Sequence, residues 1–123
     1  MSQDIVADAL NQIMNAKKAK KTEVRIKKYS KFLLGLFDLM KKLDYISYKV
    51  EGRELKVEIK NLNECRAIKP RFSAPIDRIE KYVKRFLPAR DFGYVIISTN
   101  KGLMTHEEAI EKNIGGSLIA YVF

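Results

Sequence analysis

Gly93-Tyr94-Val95-Ile96-Ile97-Ser98-Thr99-Asn100-Lys101-Gly102-Leu103-Met104-Thr105 changes character twice within one short stretch. The unbroken apolar run Tyr94–Ile97 predicts a buried strand. Ser98 to Gly102 predicts a turn, because short hydrogen-bonding side chains are followed by a residue with no Cβ. Thr105 and Glu108 stand at the spacing of a capping box, which predicts a helix from Thr105 to Lys112. Asn113, Gly115 and Gly116 end that helix, and Ser117–Phe123 predicts a last strand. Strand, turn, helix and strand in quick succession point to an α+β fold.

The segment upstream is less regular. Arg66–Lys69 predicts a strand that Pro70 ends. From Pro75 to Pro88, Ile76, Ile79, Tyr82, Val83 and Phe86 recur at helical spacing. That pattern suits a short helix, or an ordered loop containing one helical turn. In the first half, Val6, Ala9, Leu10 and Ile13 make an apolar stripe on a helix over residues 3–16. Val24 and Ile26 alternate with charges in a strand over Thr22–Lys28. Ser30 can cap a second helix carrying Leu33, Leu36, Phe37, Met40 and Leu43. Tyr45–Val50 and Glu54–Lys60 predict two strands around Glu51-Gly52-Arg53, the second placing Leu55, Val57 and Ile59 on one face. Two abutting small domains are expected: residues 1–62, α/β, and residues 63–123, mostly β with a short helix.

Composition narrows the chemistry. With 123 residues, 46% of them hydrophobic, the chain can bury an ordinary core. The single Cys excludes an internal disulfide and a Cys-rich metal framework, and the single His argues against a His-built metal centre. No apolar run approaches the length that crosses a membrane, and the first residues are expected to hold no signal segment. The expected class is a small, basic, intracellular protein without cofactor, metal or membrane. His106 is the only His beside carboxylates; it reads as an exposed first-turn residue of the capped helix. Cys65 has no neighbouring base to activate it and reads as a small buried hydrophobe. Glu107 and Glu108 suit a solvated helix face better than acid–base work. No catalytic residue is assigned.

The net charge is +9, and it is uneven. Lys17, Lys18, Lys20, Lys21, Arg25, Lys27, Lys28 and Lys31 face only Glu23 between residues 17 and 31. Such a cluster can touch several phosphates of a polyanion at once. Its alternative is a merely solvated face. A membrane-surface helix would need a stronger apolar face opposite the lysines, and the chain there turns polar and extended. Arg66, Lys69 and Arg71 make a second basic segment, continued by Lys81, Lys84 and Arg85. Ser98, Thr99 and Asn100 can donate and accept, so they can read base edges and 2′-hydroxyls. Lys101, Gly102 and Thr105 belong to the same surface, where amides at the helix start favour a phosphate. The alternative is a turn stabilised by its own side chains.

Ile97–Thr105 (ISTNKGLMT), Ala109, and Gly115-Gly116 leading to Ala120-Tyr121-Val122 resemble the family of the eighth protein of the small ribosomal subunit. Asn100 stands where the bacterial form usually has serine. Asp4-Ile5-Val6-Ala7-Asp8 with Ile13 and Asn15, and Ser30-Lys31, match as well. Arg66–Phe72, Arg78–Phe86 and Leu87–Gly93 look like its archaeal and eukaryotic branch. The resemblance covers essentially the whole chain. It implies an α/β N-terminal domain and a strand-rich C-terminal domain. It also implies direct, early binding to the central domain of small-subunit ribosomal RNA, beside neighbouring small-subunit proteins, in the cytoplasm, by a chain that is monomeric when free. The serine/threonine-rich loop would carry specificity through Ser98, Thr99, Asn100, Lys101, Gly102 and Thr105. The lysines from 17 to 31 would add further RNA contacts. A free-standing RNA chaperone or translational regulator is the competing reading, and a small nucleic-acid-processing enzyme a weaker one.

Overall fold

Helical spacing and alternation in the first half become two helices against a three-stranded antiparallel sheet. The computed structural model describes residues 5–88 and 92–123, with backbone alone at residues 69–72. The chain divides into two compact units, Met1–Cys65 and Arg66–Phe123. In the first unit, α1 (Ile5–Lys18) buries Val6, Ala9, Leu10 and Ile13, the stripe its sequence predicts. Strand β1 (Glu23–Ile26) is shorter than predicted, so Lys27 and Lys28 lie beyond its end. Helix α2 (Lys31–Lys42) buries Leu33, Leu36, Phe37 and Met40. Its cap is the expected one: the Ser30 hydroxyl accepts from the Leu33 amide at 3.2 Å. Strands β2 (Ile46–Glu51) and β3 (Glu54–Ile59) form a hairpin, and the sheet order is β1-β3-β2. Leu55 and Val57 of β3 are fully buried, as the alternation requires. The Tyr48 hydroxyl of β2 hydrogen-bonds the Asp38 carboxylate of α2, which pushes the Tyr48 pKa up to about 12.

In the second unit, β4 (Cys65–Ala74) runs straight through Pro70. The expectation that Pro70 ends the strand is corrected by topology. The order β4-β7-β5-β6 makes β4 an edge strand, where a missing N–H is tolerated. A 3-10 turn (Ile76–Arg78) leads into α3 (Ile79–Phe86), which settles the helix-or-loop alternative. Strands β5 (Tyr94–Thr99) and β6 (Gly102–Thr105) pair antiparallel, α4 (His106–Glu111) follows, and β7 (Gly116–Val122) returns beside β5. Ser98 to Gly102 is therefore not one open turn. Ser98 and Thr99 belong to β5, Gly102 opens β6, and only Asn100 and Lys101 lie between. Ile79, Val83, Val95, Ile97, Met104, Ala109 and Leu118 make the core between sheet and helices. The architecture is α+β, with an N-terminal helix–strand region and a mostly β C-terminal region.

Three helices end alike. Lys21 N–H donates to Ala16 O and Lys20 N–H to Lys17 O; Tyr45 to Met40 and Asp44 to Lys41, and Ile114 to Ala109 and Asn113 to Ile110, repeat the pattern. This is the Schellman arrangement, and it puts one residue in the left-handed region. That residue is Asp44 (φ 65°) after α2, Asn113 (φ 58°) after α4 and Lys20 (φ 62°) after α1. Asp and Asn visit this region readily; Lys does not.

Candidate nucleic-acid interface

The β5–β6 hairpin is held at both ends. At its tip the Thr99 hydroxyl donates to the Gly102 carbonyl at 2.9 Å and accepts from the Lys101 amide at 3.1 Å. Thr99 therefore serves the turn itself, the bland alternative for this loop. Asn100, Lys101 and Gly102 are exposed, and Gly102 sits at φ 110° with open space around its Cα. At the base, Thr105 is 3% exposed and its Oγ1 accepts from the Glu108 amide at 3.2 Å. Its role is to anchor α4, and burial withdraws its side chain from any ligand at the tip.

Ser98 is half-buried, and its cross-strand partner on β7 is Ser117. Cross-strand partners share a face of the sheet. The Ser117 hydroxyl lies 3.5 Å from that of Ser73 on β4. A row of hydroxyls thus extends from Ser98 toward the edge strand. Sequence reading missed Ser73 and Ser117, because only strand register reveals them.

His106 is corrected outright. It is buried, 5% exposed, and its Nδ1 accepts a 3.1 Å hydrogen bond from the Val95 amide. Burial holds its pKa below the usual 6.5, against the opposing pull of Glu107 and Glu80. The bond requires an unprotonated Nδ1, so acid breaks it. With the folded pKa lowered, the unfolded chain binds the proton first. Stability is complete above pH 6.5 and falls as pH drops from there through the folded pKa. Denaturant titrations on either side of that value should show this decline, and His106→Gln should flatten it. An equally steep decline in the variant would assign it to other groups.

The second cluster lies in the first unit. Lys17 and Lys18 form the last turn of α1, Lys20 and Lys21 its Schellman ending, and Lys27, Lys28 and Lys31 the approach to α2. All but half-buried Lys17 are exposed. Of the third set, Arg66 is half-buried at the start of β4, while the side chains of Lys69 and Arg71 lie outside the described residues. The structure thus places Ser98–Thr105 and Arg66 in one unit and the lysines from 17 to 31 in the other. Cys65 is buried, its Sγ donating to the Leu10 carbonyl at 3.8 Å. Among the described residues no three His, Cys, Asp or Glu side chains are grouped to hold a metal ion, and no helix is long and apolar enough to cross a membrane.

The family model for ribosomal protein S8 matches residues 4–123. The chain belongs to the ribosomal protein S8 family. It is 41% identical over 129 residues to the small ribosomal subunit protein uS8 of Nanoarchaeum equitans, covering 100% of both chains. It is 41% identical over 125 residues to uS8A of Saccharomyces cerevisiae, covering 97% of this chain and 96% of the relative. The Eremothecium gossypii protein is 40% identical over 125 residues, with the same coverage. Similarity to both archaeal and eukaryotic S8 proteins agrees with the branch read from Arg66–Gly93. S8-family membership makes the chain a ribosomal, RNA-binding protein of translation and not an enzyme.

Proposed function

We propose that this chain is a structural constituent of the small ribosomal subunit. It binds the central domain of small-subunit ribosomal RNA directly and helps that domain assemble. Neighbouring small-subunit proteins join it there, in the cytoplasm. Its C-terminal domain, residues 63–123, supplies the specific contact. Its N-terminal domain, residues 1–62, adds phosphate contacts through Lys17, Lys18, Lys20, Lys21, Lys27, Lys28 and Lys31. Arg66, Lys69 and Arg71 extend the basic surface of the C-terminal domain.

One observation carries this reading. The β5–β6 hairpin is anchored at its tip by Thr99 and at its base by Thr105, so the polar groups between have one geometry. A rigid hydroxyl or amide discriminates because the wrong ligand leaves a polar partner unsatisfied, at about 1–3 kcal/mol per group. Ser98 and Asn100 are the readers, Lys101 the phosphate contact and Gly102 the point of close approach, with Thr99 and Thr105 holding them.

Footprinting of the purified chain on small-subunit RNA, with an unrelated RNA of equal length as control, tests the proposal. Protection should concentrate in the central domain. Ser98→Ala should lower affinity for that RNA, spare the unrelated one and leave the melting temperature unchanged. Thr99→Ala should lower that affinity indirectly, by loosening the turn that holds Asn100 and Lys101. A preference for small-subunit RNA that survives both substitutions would move recognition away from the hairpin.

A further inference from the structure

Between the C-terminal half of α1 and β1 lies an open cavity of about 380 Å³, lined by Gln12, Asn15, Ala16, Ala19, Lys21 and the strand Glu23–Arg25. Its size falls within the range of small-ligand clefts, about 300–1,000 Å³. Gln12 and Asn15 are one turn apart on α1, so their amides share a face. Both are exposed, and neither side chain hydrogen-bonds within the described residues. Ala16 and Ala19 leave the floor shallow enough for a flat group to approach the helix.

The charges at the mouth are already sorted. Arg25 Nη1 lies 3.3 Å from Glu51 and 3.6 Å from Glu54. Glu23 lies 3.3 Å from Lys56 Nζ. Lys21 has no acidic group within ion-pair distance among the described residues, so the available charge at the rim is positive. The backbone fixes it there, because the Lys21 amide is tied to the Ala16 carbonyl at 2.9 Å. That bond exists only because Lys20 adopts φ 62°. Glycine would take this position with less strain.

The geometry points to a binding site for a single ribonucleotide of the bound RNA. The Gln12 and Asn15 amides meet the ribose 2′-hydroxyl and a base edge, and Lys21 meets the adjoining phosphate. Amides suit this task because each offers both donor and acceptor, as does a 2′-hydroxyl. The inference rests on the RNA-binding reading above and adds a site of recognition to the first unit, where charge alone would give none.

The test compares the wild-type chain with Gln12→Ala/Asn15→Ala, Lys21→Gln and Lys20→Gly by titration, footprinting and melting. Small-subunit RNA and an unrelated RNA of equal length are the probes. The double variant should bind small-subunit RNA about tenfold more weakly. Its salt dependence and melting should stay unchanged, and protection should vanish at one short run of nucleotides. Placing 2′-deoxy sugars in that run should weaken the wild type and leave the double variant unaffected. Lys21→Gln and Lys20→Gly should each reduce the salt slope by about one, while Lys20→Gly melts at a higher temperature. Full affinity and an intact footprint in the double variant would overturn the cavity alone. A wild-type chain without preference for small-subunit RNA would overturn the RNA-binding reading and this inference with it.

Discussion

Gly116→Ala is expected to destabilise the second unit by about 1–3 kcal/mol or more, the cost of forcing atoms into a packed site. A Cβ at residue 116 would lie on the Ser98 carbonyl oxygen and within 2.9 Å of Ile97 Cγ2. The oxygen belongs to a strand paired on both sides, β6 on one and β7 on the other, so it cannot swing away. The ladder must therefore open where Ser98 pairs with Ser117. Binding of small-subunit RNA should fall together with the melting temperature, because Ser98 shifts with the strand. Gly52 gives the control. It sits at φ 62° with no atom within 4 Å of an added Cβ, so Gly52→Ala carries only the left-handed penalty of about 1–2 kcal/mol. It should leave RNA binding intact. Equal binding losses in the two variants would contradict the steric account.

The second large effect is electrostatic. Replacing Lys17, Lys18, Lys20 and Lys21 by glutamine should weaken binding to small-subunit and unrelated RNA together. Every phosphate that a lysine no longer neutralises should lower the slope of log affinity against log salt by about one unit, to a limit of about four. These lysines also oppose the partial negative charge at the C-terminus of α1, so melting must be followed in parallel. Titrations at several salt concentrations decide the matter. A weakening confined to small-subunit RNA, with the slope unchanged, would mean that the lysines recognise a shape and not a charge density.

Much of the fold was legible in local pattern. The Leu55–Val57 alternation, the Ser30 cap and the Thr105 cap each depend on neighbours within a few residues, and each appears as read. What was not legible depends on partners distant in sequence. Pro70 stops a strand in isolation, but its position on a sheet edge removes the objection, and sheet order is not written in the strand. Ser98 and Thr99 look like turn residues because they are small and polar; pairing with Leu103 and Gly102 makes them strand. His106 looks solvent-facing in a helix's first turn, and its reasons for burial, the Val95 amide and the Tyr94 ring, lie on another strand. In the hairpin, residue types named candidate groups but not what each does within the fold. Thr99 proved to be spent on the turn, while the hydroxyls of Ser73 and Ser117 came into view only through register.

The strands at the margins of both sheets have a bearing on the chain before it meets RNA. Beta strands left open at a margin invite another copy to add itself. Here β1 and β6 are four residues each, β4 carries Pro70, and β2 alternates Lys49 with Glu51 near its end. None offers a long, flat, apolar template. A chain that binds RNA meets this hazard whenever it is unbound. Short and interrupted margins disfavour such edge-to-edge addition, so the lengths and composition of its outer strands guard the free chain against self-association.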